Sequence, residues 1–555
     1  MKLKKMLAGV LSAALLLAGC GTDNGGNPST ADAPDAEQYI NTYVVTDPTS
    51  FDSAMATDTI AVNMLINLME PLLRLEQQAD GSLKTVEAGA ESYTHSDDGL
   101  TWTFTIRENK WSDGQQVTAE DYAYGITRLL DPATAAPYSY LLMPLKNAAA
   151  VNSGELPVEE LGVKALDEKT LEIQLEGPTS YFMGLLYHTV MLPARKDLVE
   201  QYGDQYGTAI DKMAYNGPFK AESWVHNSEI VFVKNDQYWD NASVKLGKIT
   251  YKVIQDENAV YSSLENGSID TASTLSKEWT DAFSQNSRLV HEKVVSANTY
   301  YQYYNQTDPL FANANVRKAF TLAVDREDLN DVIYDGMRIP AYSMIPNGIT
   351  SGDTEYASIA KQPIKTLQES TTASPKELLV QGLTELGMDP DPAKLTVTLS
   401  LGGTDQFTKT LAEYMQQTYK TELGVQVQIE MLDWGAFIDN YYNLDYQIGQ
   451  MAFGAEWNDP LSMLTCVESG QDGYCIGWGS EEVDSLLAKA TASSDETQKV
   501  ALIEQIEDIF LNQDGCVCPL VFSASDLFTY DYVKGVEYAT FSTSGYKYVY
   551  TQGRK

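Results

Sequence analysis

The chain has 555 residues, 43% hydrophobic and 21% charged, which is enough apolar material for several packed domains. Its formal net charge of −39 argues against nucleic acid as a partner, because the phosphate backbone must be neutralised by Lys and Arg. Acidity alone selects no ligand, since a solvated acidic surface explains it equally well. The 34 Tyr are more suggestive, because each offers flat apolar area with one polar handle, a combination that suits binding surfaces.

The N-terminus points to a compartment. Lys2, Lys4 and Lys5 precede an apolar run from Met6 to Ala18. That run is shorter than the roughly 20 residues a membrane-spanning helix needs, and it has the pattern of a signal peptide over residues 1–19. Leu17-Ala18-Gly19-Cys20 resembles a bacterial lipobox. The resemblance implies cleavage before Cys20 and lipidation of Cys20, with an unlipidated secreted protein as the alternative. Residues 20–36 are polar and small, and they read as a flexible tether. An extracytoplasmic protein anchored to the membrane, but not crossing it, is expected. Cys466, Cys475, Cys516 and Cys518 remain. Four cysteines allow three connectivities. A Cys466–Cys475 bridge would close a short loop, a Cys516–Cys518 bridge would be strained, and a zinc site is the alternative use.

Tyr39–Asp47 is β-like, and Asp58–Glu70 carries apolar residues at helical spacing until Pro71. Thr101–Arg107 alternates as a strand. After the turn Trp111-Ser112-Asp113-Gly114, the pair Thr118 and Asp121 predicts a capped helix ending near Asp131-Pro132. Thr170–Leu175 is a strand, Trp224–Val233 a hairpin turning at Asn227-Ser228, and Ile249–Ile254 a strand. Val260–Leu264 opens a helix that stops at Asn266-Gly267. The aromatic run Tyr300–Tyr304 precedes a helix marked by Val316, Ala319, Phe320 and Ala323. Strands at Leu395–Leu401 and Val425–Leu432 and a late helix through Val500, Ile503, Ile506 and Phe510 complete a mixed α/β pattern.

Signatures of catalysis are missing from this pattern. The sequence has no Gly-x-Ser-x-Gly elbow, His-Glu-x-x-His pair or phosphate-binding loop. The four histidines His95, His188, His226 and His291 lie far apart and read as ordinary surface or core residues. Several blocks instead carry a resemblance. They are WSDGQQVTAEDYAYGITRLLDP (Trp111–Pro132), NGPFKAESW with NDQYWDNASVKLGKITY within Tyr215–Tyr251, and SSLENGSID (Ser262–Asp270). YYNQTDPLFANANVRKAFTLAVDREDL (Tyr303–Leu329) and DWGAFIDNYYNLDYQIGQMAFGAEWNDPLSML (within Leu432–Leu464) follow in order. Together they resemble solute-binding family 5, the peptide- and nickel-type receptors of ABC importers.

The resemblance implies a two-lobed, periplasmic-binding-protein-like α/β fold with an extra inserted domain and two hinge segments. It would place the primary domain of the first lobe at 37–70, 209–301 and 519–555, its inserted domain at 71–208, and the second lobe at 302–518. Tyr300–Tyr304 and the stretch near Cys518 would sit at the crossings. It implies an oligopeptide ligand, delivery to an ABC permease and ATPase complex, a monomer, no enzyme activity and no cofactor. Glu456 matches the acidic residue that meets the peptide ammonium, with Glu where the family usually has Asp. Phe453 and Gly454 match one backbone-pairing stretch, and Ala56, Thr57, Asp58 and Thr59 match the opposing one. Trp434 and Tyr138 match ligand-side aromatics. Two departures stand out. Tyr441 and Gln450 replace basic residues that serve peptide C-termini in some relatives, and Gly454 and Asn298 replace the cysteines of the family's lobe disulfide. An oligosaccharide or metal-chelate cargo, an extracellular hydrolase and a sensing receptor stay open as alternatives.

Overall fold

The computed structural model of the protein describes residues 33–470 and 473–554, so the segment 1–19, Cys20 and most of the tether lie outside the described residues. Two long strands, Leu289–Tyr304 and Val517–Tyr530, organise everything else. They pair antiparallel from Leu289 opposite Tyr530 to Tyr303 opposite Val517, and the register breaks between Val295 and Thr299. Before the break, the short strand Thr271–Thr274 joins them through Val517–Tyr530. Beyond it, Ile448–Gly454 pairs with Leu289–Tyr304, and Thr396–Gly402 and Gln426–Leu432 extend the sheet with parallel pairing. The residues left unmatched at the break bend the ladder, as a bulge does.

The buried apolar side chains separate along the same line. One cluster gathers residues between Ile40 and Phe283 with the C-terminal Phe528–Val549. Two others, drawn from residues 297–520, cover the two faces of the second lobe's sheet. Alternation along one strand feeds both faces. Tyr301 and Tyr303 enter one cluster, while Tyr304 enters the other beside the buried Gln302. Gln302 is satisfied by Tyr419, Tyr304 and Gln450, as a buried amide must be.

Within the first lobe, Tyr39–Val44, Lys248–Val253, Glu229–Lys234 and Phe219–Val225 form one sheet in that order. Asn227, with φ of 57°, turns the predicted hairpin; Asn tolerates that left-handed geometry better than most residues. A second, antiparallel sheet of Ala90–His95, Thr101–Ile106, Thr170–Gln174 and Val163–Ala165 is packed by helix Ala119–Leu130. That helix starts where its capping box predicts. The Thr118 hydroxyl accepts from the Asp121 N–H, and the Asp121 carboxylate accepts from the Thr118 N–H at 2.8 Å.

The cysteine alternatives resolve differently from a bridged loop. Cys466, Cys516 and Cys518 stand as thiols, so the Cys466–Cys475 and Cys516–Cys518 bridges are not formed. Burial pushes the Cys466 thiol up to about 12, which keeps it protonated.

A buried ion pair ties the end of helix Thr59–Leu68 and the strand Leu73–Gln77 to Tyr238, Trp239 and the C-terminal Thr543. Arg74 lies 2.6 Å from Glu70, and neither side chain meets solvent. Glu70 also accepts from the Tyr238 hydroxyl and the Trp239 indole, each at 3.1 Å. Arg74 donates to the carbonyls of Ile66, Met69 and Thr543. Every strong donor of the guanidinium therefore has a partner, which is the condition for tolerating buried charge. Arg74→Met leaves Glu70 buried without a counter-charge. A loss of about 3–5 kcal/mol is expected, read as a lowered denaturation midpoint; an unchanged midpoint would contradict this account of the pair.

Candidate functional site

Between the lobes lies a cavity of about 560 Å³. Its walls come from five places. Helix Thr59–Leu68 contributes Asn63 and Ile66, the stretch 138–189 contributes Tyr138 and His188, and residues 294–298 line it at the register break. The C-terminal segment 537–543 and Glu456 close it.

Glu456 follows the strand Ile448–Gly454 and is fixed by its own backbone, whose N–H donates to the Ser462 hydroxyl at 2.8 Å. Its carboxylate accepts from the Tyr140 hydroxyl at 3.3 Å and also meets Tyr138. His188 Nε2 stands 3.9 Å from it. Burial pushes the Glu456 carboxyl above its ordinary range, and the two tyrosines partly offset that. His188 supplies no compensating charge. Burial holds its pKa down to about 4, and its Nδ1 accepts from the Val190 N–H, which assigns the ring proton to Nε2. Glu456 is thus a carboxylate held by neutral donors, with no Lys or Arg paired to it among the described residues.

The structure brings Thr57, Thr59, Tyr138 and Glu456 to this cavity. The Tyr138 hydroxyl also donates to the Thr57 carbonyl at 3.4 Å. Asp58 is occupied elsewhere: it caps helix Thr59–Leu68 through the Ala61 N–H and accepts from Thr49. Ala56 is fully buried behind the wall. Phe453 packs on Tyr474 with ring centroids 4.9 Å apart, away from the cavity. Phe453 and Gly454 pair with Thr299 and Asn298 on one side. On the other side Thr396–Gly402 pairs only as far as Gln450. Among the described residues, Met451–Gly454 therefore presents a free strand edge leading to Glu456. Trp434 is 60% exposed, stacks on Phe437 and does not reach the cavity.

The two departures have clear locations. Asn298 lies directly opposite Gly454, where a Cβ would come within 2.3 Å of the Asn298 amide oxygen. Tyr441 and Gln450 are buried, the first donating to the Gly473 carbonyl at 3.2 Å and the second to Gln302. Neither offers charge to the cleft. Sequence reasoning missed Tyr140, His188 and Glu537. Each is far from Glu456 in the chain and sits in no motif, so His188 in particular read as an ordinary histidine.

The lobes touch around the site. Trp457, next to Glu456, stacks on Tyr181 at 4.8 Å and 23°. The Ser180 N–H donates to the Thr491 carbonyl at 2.8 Å, and the Asn458 N–H donates to the Tyr187 hydroxyl at 3.4 Å.

A pair of lobes on continuous strands, enclosing a cleft with an uncompensated carboxylate, defines a ligand-capturing protein. A model described as "Bacterial extracellular solute-binding proteins, family 5 Middle" matches residues 84–474. The dipeptide-binding protein DppE of Bacillus subtilis is 32% identical over 502 residues, 90% of this chain and 89% of that protein. The oligopeptide-binding protein OppA of the same organism is 30% identical, covering 94% of each. The solved structure of Listeria monocytogenes OppA bound to peptide has a TM-score of 0.75 and 29% identity, and the match covers 93% of this chain and 99% of that one. The chain belongs to family 5 of the bacterial extracellular solute-binding proteins, and the two-lobed α/β fold implied by the sequence resemblance is borne out.

The buried His188 makes a pH prediction. The unfolded chain takes up this proton near 6.5, but the folded protein only near 4. The unfolded state therefore binds more protons in that window, and stability falls as pH drops from 6.5 toward 4. Denaturation midpoints of wild type and His188→Gln across this range are expected to converge as pH falls, because the variant lacks this cost. A constant difference between them would refute it.

Proposed function

We propose that the protein captures oligopeptides between its lobes and hands them to an ABC permease and ATPase complex. The observation that carries this reading is Glu456, a partly buried carboxylate with neutral hydroxyl donors and no cation paired to it among the described residues, beside a free strand edge. A peptide supplies the two missing parts. Its α-ammonium pairs with Glu456, and its extended backbone adds to Met451–Gly454. Main-chain pairing is common to all peptides, which accounts for tolerance of side chains. The similarity to a dipeptide-binding and an oligopeptide-binding protein supports the same cargo.

In this reading the first lobe comprises 37–70, 209–301 and 519–555 with 71–208 inserted, and the second comprises 302–518. The core clusters support the division into two lobes but not the separate insertion, with Trp457 the second-lobe residue that enters the first cluster and Ala297, Tyr301 and Leu520 the first-lobe residues that enter the others. Ala56–Thr59 faces the bound peptide across the cleft through Thr57 and Thr59, while Phe453 and Gly454 act through backbone. Trp434 is assigned a ligand-side role that its present exposure leaves to a different lobe arrangement. Cys20, at the end of the lipobox-like Leu17-Ala18-Gly19-Cys20, is lipidated and holds the monomeric protein to the outer face of the cell membrane; no described helix is long and apolar enough to cross it. Cys20→Ser is expected to move the protein from the membrane fraction to the soluble extracytoplasmic fraction; retention in membranes would sink the anchor.

The direct test is mass spectrometry of small molecules released from the purified protein. Mixed short peptides are expected, and a single glycan or chelate would overturn the peptide cargo. Removing one partner of a buried, hydrogen-bonded charge pair costs about 2–5 kcal/mol, so Glu456→Ala is expected to weaken peptide binding by that much in calorimetry. Affinity in the wild type should also decline as pH falls through the raised Glu456 range, because a protonated carboxyl no longer pairs with an ammonium.

A further inference from the structure

Glu456 is not the cleft's sole acid. Among the described residues lining the cavity, the charged side chains are Glu456 and Glu537, and there is no Lys or Arg. Glu537 accepts from the Gln77 N–H at 3.1 Å and from the Ser542 hydroxyl, both neutral donors. No described Lys or Arg forms an ion pair with it. The cations behind the same wall are already matched. Arg74, which bonds the Thr543 carbonyl, is paired with Glu70 at 2.6 Å. Lys547 is paired with Asp240 at 3.1 Å.

Glu537 also stands at a doorway. A second chamber of about 450 Å³ adjoins the cleft, and the two share Asn63, Ile66, Leu527, Glu537 and Ser542. Its walls include the apolar Ile60, Met64 and Val536. Tyr251 is among its lining residues. A doorway carboxylate without a counter-charge, opening onto apolar walls, suits a cationic ligand group on an aliphatic stem.

We propose that Glu537 and this chamber receive a Lys or Arg side chain of the bound peptide, so that the receptor selects cationic peptides. The proposal rests on the peptide reading above and adds a specificity to it. One carboxylate takes the terminal ammonium and the other takes a basic side chain. Neither lobe presents a cation in the cleft to reward an acidic one.

Calorimetry on the mature, full-length protein with alanine pentapeptides tests this. Each peptide carries one Lys, one norleucine or one Glu, moved through the internal positions. Norleucine keeps the Lys stem and removes its charge. A charge-assisted hydrogen bond in a cleft corresponds to about tenfold or more in affinity. The best Lys peptide is therefore expected to bind at least about tenfold tighter than its norleucine match. That ratio should shrink as salt is added. In Glu537→Gln, which keeps the acceptor for the Gln77 N–H, the Lys-to-norleucine ratio should fall to within about twofold of one. In Glu456→Gln the ratio should persist while both affinities drop. Peptides that bind without regard to Lys, or a Lys preference that survives Glu537→Gln, overturn the proposal and leave the peptide reading standing. Binding of none of the peptides overturns both. A thermal midpoint for Glu537→Gln near that of wild type establishes that a lost ratio is not lost folding.

Discussion

The paired strands Leu289–Tyr304 and Val517–Tyr530 are the constraint on which the rest depends. Each chain crossing between the lobes is part of one antiparallel ladder, so separating the lobes would tear backbone hydrogen bonds. The ladder breaks between Val295 and Thr299, and a bulge is the place where a strand bends at least cost in pairing. The cleft forms at that bend, which is why residues 294–298 line it. The same strands deliver Ile448–Gly454 and hence Glu456, because that strand is held in register on Asn298–Tyr304. Fold and site are therefore set by one register.

How much of this was legible in sequence depended on whether the signal was local. Thr118 and Asp121 meet within one turn, so a capping box is readable without knowledge of the fold, and the helix begins there. The Asn227 hairpin is readable for the same reason. The first half of Leu289–Tyr304 was not. Its residues from His291 to Lys293 are exposed and polar, so no apolar alternation marks them, and only the aromatic end stood out. The late helix was read through Phe510, but not that its last stretch over Asp508–Gln513 carries more residues per turn than an α-helix. Tertiary packing decides such a bulge, since Ile509, Phe510 and Leu511 are all buried.

The site shows the same divide more sharply. Glu456 was reachable because family-like residues surround it. Tyr140 and His188 were not, because they approach Glu456 from more than 260 residues away in sequence. Asp58 illustrates the opposite failure. It stands at a matched position, but Asp before a helix is also a preferred cap, and the structure uses its carboxylate that way. Trp434 begins its helix exposed, where sequence could not separate a pocket wall from a surface ring.

The chemistry of Glu456 also explains why a receptor of this shape need not close when empty. Contacts that span the lobes, such as Trp457 on Tyr181, favour the closed arrangement. An offset stack of this kind contributes about 0.5–1.5 kcal/mol beyond the area it buries. Closing also buries a carboxylate against Tyr140, Tyr138 and a histidine kept neutral by burial, and that desolvation opposes closure. The two effects have opposite sign at one place in the molecule. In the proposed peptide reading, a ligand ammonium would remove the opposing one while leaving the favourable contacts intact, which would give it the differential affinity for the closed state that a population shift requires. Asp in place of Glu456 would shorten the arm and draw the charge away from Tyr140. The longer Glu is what lets a second-lobe carboxylate engage a first-lobe hydroxyl.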